Sequence, residues 1–267
     1  DVGNATNGWR FFPDVAERLL PHLKWVRFTV LAGRPDSYLR LMHGSIDDHH
    51  IWDTATENIR QAVAVKRKHG LGVTLGIQTF VTPQDVEEIM PFAQLGVDLG
   101  VDYAMVKHTS DDETGAMGID YSAYAPVIAA IKEAELLTTA ETLITAKWSK
   151  LTGPDAWPPS YKRVYGCPFL LQISGSGLVA PSGMFFNARH SKLHIGDYTQ
   201  ERFIDIWQSD RYWDAMNYLA SPAFDAGQHM GSLPIQHYAN IALDRHVKGI
   251  ERIEPATGPP PPHVNFV

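Results

Sequence analysis

The feature that most constrains this chain is the rhythm of its apolar residues over roughly the first 150 positions. Short buried runs alternate with longer stretches in which apolar side chains return every three or four residues. The first period suits a strand and the second an amphipathic helix, and their alternation marks parallel β/α units. The clearest unit opens with residues 25–33, WVRFTVLAG, a run too apolar for a strand with one wet face. Its helix, about 51–69, sets Ile51, Ala55, Ile59 and Val63 on one stripe. Lys66, Arg67, Lys68 and His69 suit its negative end, and Gly70 stops it. The next strand is 72–81. Thr82-Pro83-Gln84-Asp85 then caps a helix that runs to about Leu95, with a kink at Pro91. A strand at 101–108, a helix around 122–136 and a strand at 142–147 complete four strand–helix steps. A closed barrel takes eight strands and about 250 residues. The expectation is therefore a partial parallel (β/α) barrel, α/β in class. Its open edge calls for cover by a protein partner or by an N-terminal portion of a longer parent. A start at Asp1 rather than Met points to a processed, truncated or partly observed chain.

Prolines and tryptophans in and around 151–160 place a domain boundary there, giving expected domains of 1–150 and 151–267. Beyond the boundary the pattern changes to short β segments, 169–174 and 177–181, joined by a Gly-Ser-Gly turn. A helix is expected from about Gln200 to Ala220, with Phe203, Ile206, Trp207, Trp213 and Met216 at helical spacing, and the proline-rich tail from Gly258 reads as extended. A net charge of -7 argues against a nucleic-acid groove, which needs clustered Lys and Arg. No apolar run approaches the roughly 20 residues that span a bilayer, so no membrane partner is expected. One cysteine excludes an internal disulfide and fits a reducing, cytoplasmic setting.

That cysteine sits in a spacing with its own meaning. Cys167 is followed by nine residues, Gly177, four residues and Ser182; further on, Ser221, Phe224, Met230 and Pro234 stand at x2, x5 and x3 intervals. The frame resembles the cysteine-rich C-terminal SPASM domain of radical S-adenosylmethionine enzymes, with non-cysteine residues at the ligand positions. Val164 matches the first ligand as well as Cys167 does. Thr6-Asn7-Gly8 looks like that family's "TNG" strand end, Arg27-Phe28-Thr29-Val30 like its "RFSV" strand, residues 101–108 like its later strand ending in Lys, and 194–213 like the helix entry after the second cluster cysteine. The resemblance implies a barrel that binds S-adenosylmethionine, a small α+β SPASM-like domain, [4Fe-4S] clusters in the family, and radical chemistry on a peptide or small metabolite. The family's Cys-x3-Cys-x2-Cys loop lies before the TNG strand, and this chain begins after that point. Valine, phenylalanine, proline and serine cannot stand in for thiolates, so a fold that has outlived its metal is expected, with no intact cluster site here.

The residues expected to line a cofactor or substrate pocket are Thr6, Asn7, Gly8, Thr29, Gln78, Lys107 and His108, at or near C-terminal strand ends. Lys107 leads, since its ammonium suits a ligand carboxylate. Each residue reads equally as a loop anchor. Asp47-Asp48-His49-His50 reads first as a helix cap and second as metal ligands. His229 and His237 with Cys167 form a candidate zinc set, although Cys167 reads more simply as a buried apolar residue. Three functions follow: a radical enzyme inactive as these residues stand, a cluster-free relative that binds a ligand or partner, or a cluster-free barrel enzyme using Lys107.

Overall fold

The computed structural model describes residues 2–42, 49–111, 115–152, 161–229, 237–254 and 257–258. Asp47, Asp48, the His49 side chain, Met230 and Pro234 lie outside the described residues. The chain divides into two compact units: Asp1–Thr109 with Asp120–Thr152, and Ser110–Ile119 with Gly153–Gly258.

In the first unit a five-stranded sheet follows chain order: β1 (Gly3–Thr6), β2 (Trp25–Thr29), β3 (Thr74–Val81), β4 (Tyr103–His108) and β5 (Leu143–Ala146). All four pairings are parallel. Helices α1 (Pro13–Leu19), α2 (Pro35–Leu41), α3 (His49–His69), α4 (Ile89–Leu99) and α5 (Ala125–Ala134) make the crossovers, and α6 (Trp148–Leu151) follows β5. This is a partial parallel β/α barrel. It has one strand more than the periodicity indicates, because β1, Gly-Asn-Ala-Thr, carries no large apolar side chain.

Strand alternation divides the sheet into two faces. Val26, Phe28, Leu75, Ile77, Ala104, Val106 and Ile144 are buried toward the helices. Phe11 meets Phe28 edge-on at 5.3 Å. A Cβ on Gly96 of α4 would lie 2.6 Å from the Ala104 Cβ, so only glycine allows this helix to approach β4 so closely. The second face carries Trp25, Arg27, Thr29, Gly76, Gln78, Phe80, Tyr103, Met105 and Lys107 in register. Gly76 makes room for Tyr103, whose ring atoms would lie 2.0 Å from an added Cβ. This corrects the reading of residues 25–33 as uniformly apolar. The strand ends at Thr29 and alternates half-buried and buried positions, with Arg27 on the second face.

Pro91 does not kink its helix. A 3₁₀ segment, Pro83–Glu88, precedes α4, which starts at Ile89 and so holds Pro91 in its first turn, where a missing N–H leaves no bond unmade. The Thr82 side chain accepts from the Gln84 N–H at 3.3 Å, as its capping residue. Buried Glu88 accepts from Arg34 and, at 2.6 Å, from the Ser37 hydroxyl, tying α2 to the start of α4.

The second unit holds a small antiparallel sheet in the order β6 (Gln172–Ile173), β7 (Leu178–Ala180), β8 (Gly196–Asp197). Around it are α7 (Phe203–Trp207), α8 (Asp210–Leu219), α9 (Ala226–His229) and α10 (His237–Val247). The single helix expected over 200–220 is two. Ser209, extended at φ -77° and ψ 155°, caps α8 by accepting from the Tyr212 N–H. No described helix is long and apolar enough to cross a membrane.

Candidate functional site

The sheet register brings Thr29, Gln78 and Lys107 to one end of the second face: Thr29 pairs with Gln78, Gln78 with Met105, and Phe80 with Lys107. The Gln78 side-chain amide donates to the Thr29 hydroxyl at 2.9 Å. Gln78 is 4% exposed, and its Oε1 is buried without a hydrogen-bond partner among the described residues. The Lys107 ammonium lies 6.0 Å from the Phe80 ring centroid. Burial, and then the charges of Arg27, Lys147 and Lys150, push Lys107 down to about 7. Lys147 is lowered by burial and then by Arg27; Lys150 is lowered by burial and then by Lys147.

Arg27, Lys147 and Lys150 are the functional candidates that sequence reasoning missed. The Arg27 guanidinium lies 5.4 Å from the Trp25 ring, and its Nε is buried without a hydrogen-bond partner among the described residues. None of the four cations forms an ion pair with another described residue. The strand positions of this face carry no carboxylate. The signal was present in the period of two that places Arg27 and Lys147 on the same side as Lys107.

The remaining expected pocket residues are elsewhere. His108, next to Lys107, points to the helix side, with its ring 5.7 Å from Tyr121 and 6.2 Å from Tyr124. Burial first, with Lys150 and Lys107 adding, pushes it to about 4, so it is neutral at physiological pH. Thr6, Asn7 and Gly8 form a tight turn. Gly8 N–H donates to the Thr6 hydroxyl and Trp9 N–H to Asn7 Oδ1, each at 3.2 Å, with Gly8 at φ 81°. The Gly8 carbonyl accepts from Asn58 at 2.9 Å, anchoring the turn to α3.

In the second unit, the positions matching cluster ligands are filled by packing and local hydrogen bonds. Val164, Cys167 and Phe224 are buried in one apolar core with Phe185, Ile195 and Leu219. Burial pushes the Cys167 thiol up to about 12, away from the thiolate that iron requires. Ser182 caps a 3₁₀ turn by accepting from Met184 N–H, and the Ser221 hydroxyl donates to the Tyr218 carbonyl at 2.8 Å. Buried Asn240 holds the turn before Cys167: its side-chain oxygen accepts from the Tyr165 and Gly166 N–H groups, and its amide donates to the Arg163 carbonyl at 3.0 Å. These side chains do not fit a thiolate-held [4Fe-4S] cluster. The candidate zinc set is not assembled either. His237 is hydrogen-bonded to the Tyr161 hydroxyl at 2.9 Å, whereas His229 stacks on Phe224 at 5.1 Å and lines a cavity of about 340 Å³ with His190 and Tyr218. Among the described residues no three His, Cys, Asp or Glu side chains gather to hold a metal.

No protein-family model matches the sequence, and no curated protein matches it. Solved structures do. Streptococcus suis SuiB bound to S-adenosylmethionine superposes with a TM-score of 0.55 at 15% identity, covering 81% of this chain and 50% of SuiB. SuiB bound to its precursor peptide SuiA gives 0.55 at 12% identity, over 85% of this chain and 53% of SuiB. Native anSMEcpe with bound AdoMet gives 0.51 at 10% identity, over 94% of this chain and 75% of the other. This chain thus spans about half the length of SuiB. At these identities the likeness is one of architecture, and the chain has the fold of the radical S-adenosylmethionine enzymes.

Proposed function

We propose that these residues form a cluster-free, ligand-binding relative of the radical S-adenosylmethionine enzymes, with the ligand seated against the second face of the parallel sheet at Thr29, Gln78 and Lys107. The observation that carries this reading is the packing of Val164, Cys167 and Phe224 into the core of the second unit, where the resemblance would have thiolates facing a metal. With a single cysteine in the sequence, these residues build no radical-generating cluster by themselves.

The sheet face does not favour S-adenosylmethionine either. The cofactor brings a sulfonium and an ammonium against one carboxylate and so carries net positive charge. It would meet the charges of Arg27, Lys147 and Lys150, a partly protonated Lys107 and no strand carboxylate, which is unfavourable at a half-buried site. Equilibrium dialysis of the full chain against micromolar S-adenosylmethionine is expected to retain none above the buffer level. Stoichiometric retention would overturn the charge argument and make S-adenosylmethionine the ligand.

The position of Lys107 favours one second reading. Near neutral pH much of it is the free amine, the form that attacks a carbonyl to give an imine and water. Borohydride added in the presence of glyoxylate would reduce such an imine to a stable secondary amine. Selective mass labelling of Lys107 over the other lysines would favour the enzyme reading, and uniform labelling would favour binding alone.

A further inference from the structure

We propose that the ligand of this face is an acidic peptide segment, with carboxylates held by Arg27, Lys107, Lys147 and Lys150 and a backbone N–H donated to Gln78; this rests on the ligand-binding reading above.

The argument begins with an imbalance. The chain carries a net charge of -7, yet four of its cations share one sheet face and the helix beside it, with no carboxylate at any strand position of that face. Elsewhere in the same unit cations find acids readily. Lys66 bonds Asp102 at 2.5 Å, Arg67 bonds Glu141 at 2.7 Å, and Lys68 bonds Glu17 at 2.9 Å. A group of like charges that is partly desolvated and has no counterion among the described residues is costly to fold, and the cost is relieved when an external anion enters.

The shape of the acceptor and donor set narrows the anion. Arg27 offers a planar fork suited to a carboxylate, and the three lysines offer point charges spread from β4 through the β5 end to α6. Such a spread suits several carboxylates in sequence better than one compact ion. Gln78 supplies what a simple polyanion would leave unmet. Its Oε1 is buried without a partner among the described residues and needs a donor, which a fully ionised dicarboxylate such as succinate lacks and a peptide backbone has. Trp25 and Phe80 on the same face give apolar surface for a backbone to lie against.

Fluorescence anisotropy of the full chain with a labelled hexaglutamate peptide at low ionic strength tests this. Binding is expected, at least tenfold weaker with the hexaglutamine peptide, and at least tenfold weaker for Arg27→Met and for Lys107→Met. Lys132→Met, on the exposed side of α5, should leave it unchanged. Because Lys107→Met removes a buried charge, it should stay folded, and circular dichroism verifies that. Inorganic pyrophosphate displacing the peptide with higher affinity would overturn the peptide assignment in favour of a phosphate ligand. Equal binding of both peptides would overturn the charge argument while leaving the ligand-binding reading intact. Binding of S-adenosylmethionine with no binding of either peptide would overturn the peptide assignment in favour of the cofactor.

Discussion

Lys107→Met is expected to stabilise the folded chain at pH 6 by about 4 kcal/mol, and to lose that advantage as pH rises. The Lys107 ammonium faces Arg27, Lys147 and Lys150 and the ring of Phe80, so folding takes a charge out of water and sets it among like charges. Its pKa falls to about 7 from an ordinary 10.5. Below pH 7 both folded and unfolded chains hold the proton, and the full cost weighs on the folded state. Between pH 7 and 10.5 the unfolded chain binds the proton and the folded chain does not, so stability rises by roughly 1.4 kcal/mol per pH unit. Above that interval the cost is gone. Methionine keeps most of the side-chain volume and carries no charge, so the gain should be largest at pH 6 and small near pH 10. Urea denaturation of both proteins at the two pH values checks this. A variant less stable at pH 6, or a difference that does not change with pH, would show that Lys107 is not desolvated among cations.

Asn240→Leu is expected to cost the second unit about 4 kcal/mol, since each buried polar group left without a partner costs roughly 1–3 kcal/mol. Asn240 is 0% exposed and supplies three hydrogen bonds to the turn from Arg163 to Gly166, immediately before Cys167. Leucine is close in size and would leave the Tyr165 and Gly166 N–H groups and the Arg163 carbonyl without their side-chain partner, the Gly166 N–H in a buried position. Hydrogen exchange should show Tyr165 and Gly166 losing protection by two orders of magnitude or more, together with a lower urea midpoint. Unchanged protection of those amides would mean that the turn is held by something other than Asn240. The prediction bears on function because this turn is where the resemblance expects a metal to organise the chain. Here an asparagine on α10 and an apolar core do so.

The parallel strands and α3 were legible because their apolar residues are long, periodic runs whose burial dominates local energetics. α2 was not, since seven residues with Tyr38 and Leu39 as the buried pair give too few turns to show a period. The break at Ser209 was hidden by apolar spacing that continues across it, although serine before an acidic first turn is an N-cap signal. In the candidate site, Thr29, Gln78 and Lys107 were readable as strand-end polar residues. His108 lies on the opposite face of β4 from Lys107, as the alternation of adjacent strand residues requires. Arg27 went unseen because its neighbours make the strand read as buried throughout. The significance of that arginine depends on Lys147 and Lys150, which lie more than a hundred residues away and meet it only through the sheet.

Anaerobic reconstitution of the full chain with ferrous iron and sulfide, followed by desalting and assay of bound iron and acid-labile sulfide, tests the central claim most directly. The packing around Val164, Cys167 and Phe224 predicts a colourless protein with iron and sulfide at background. Four irons and four sulfides per chain, the content of one [4Fe-4S] cluster, would contradict it.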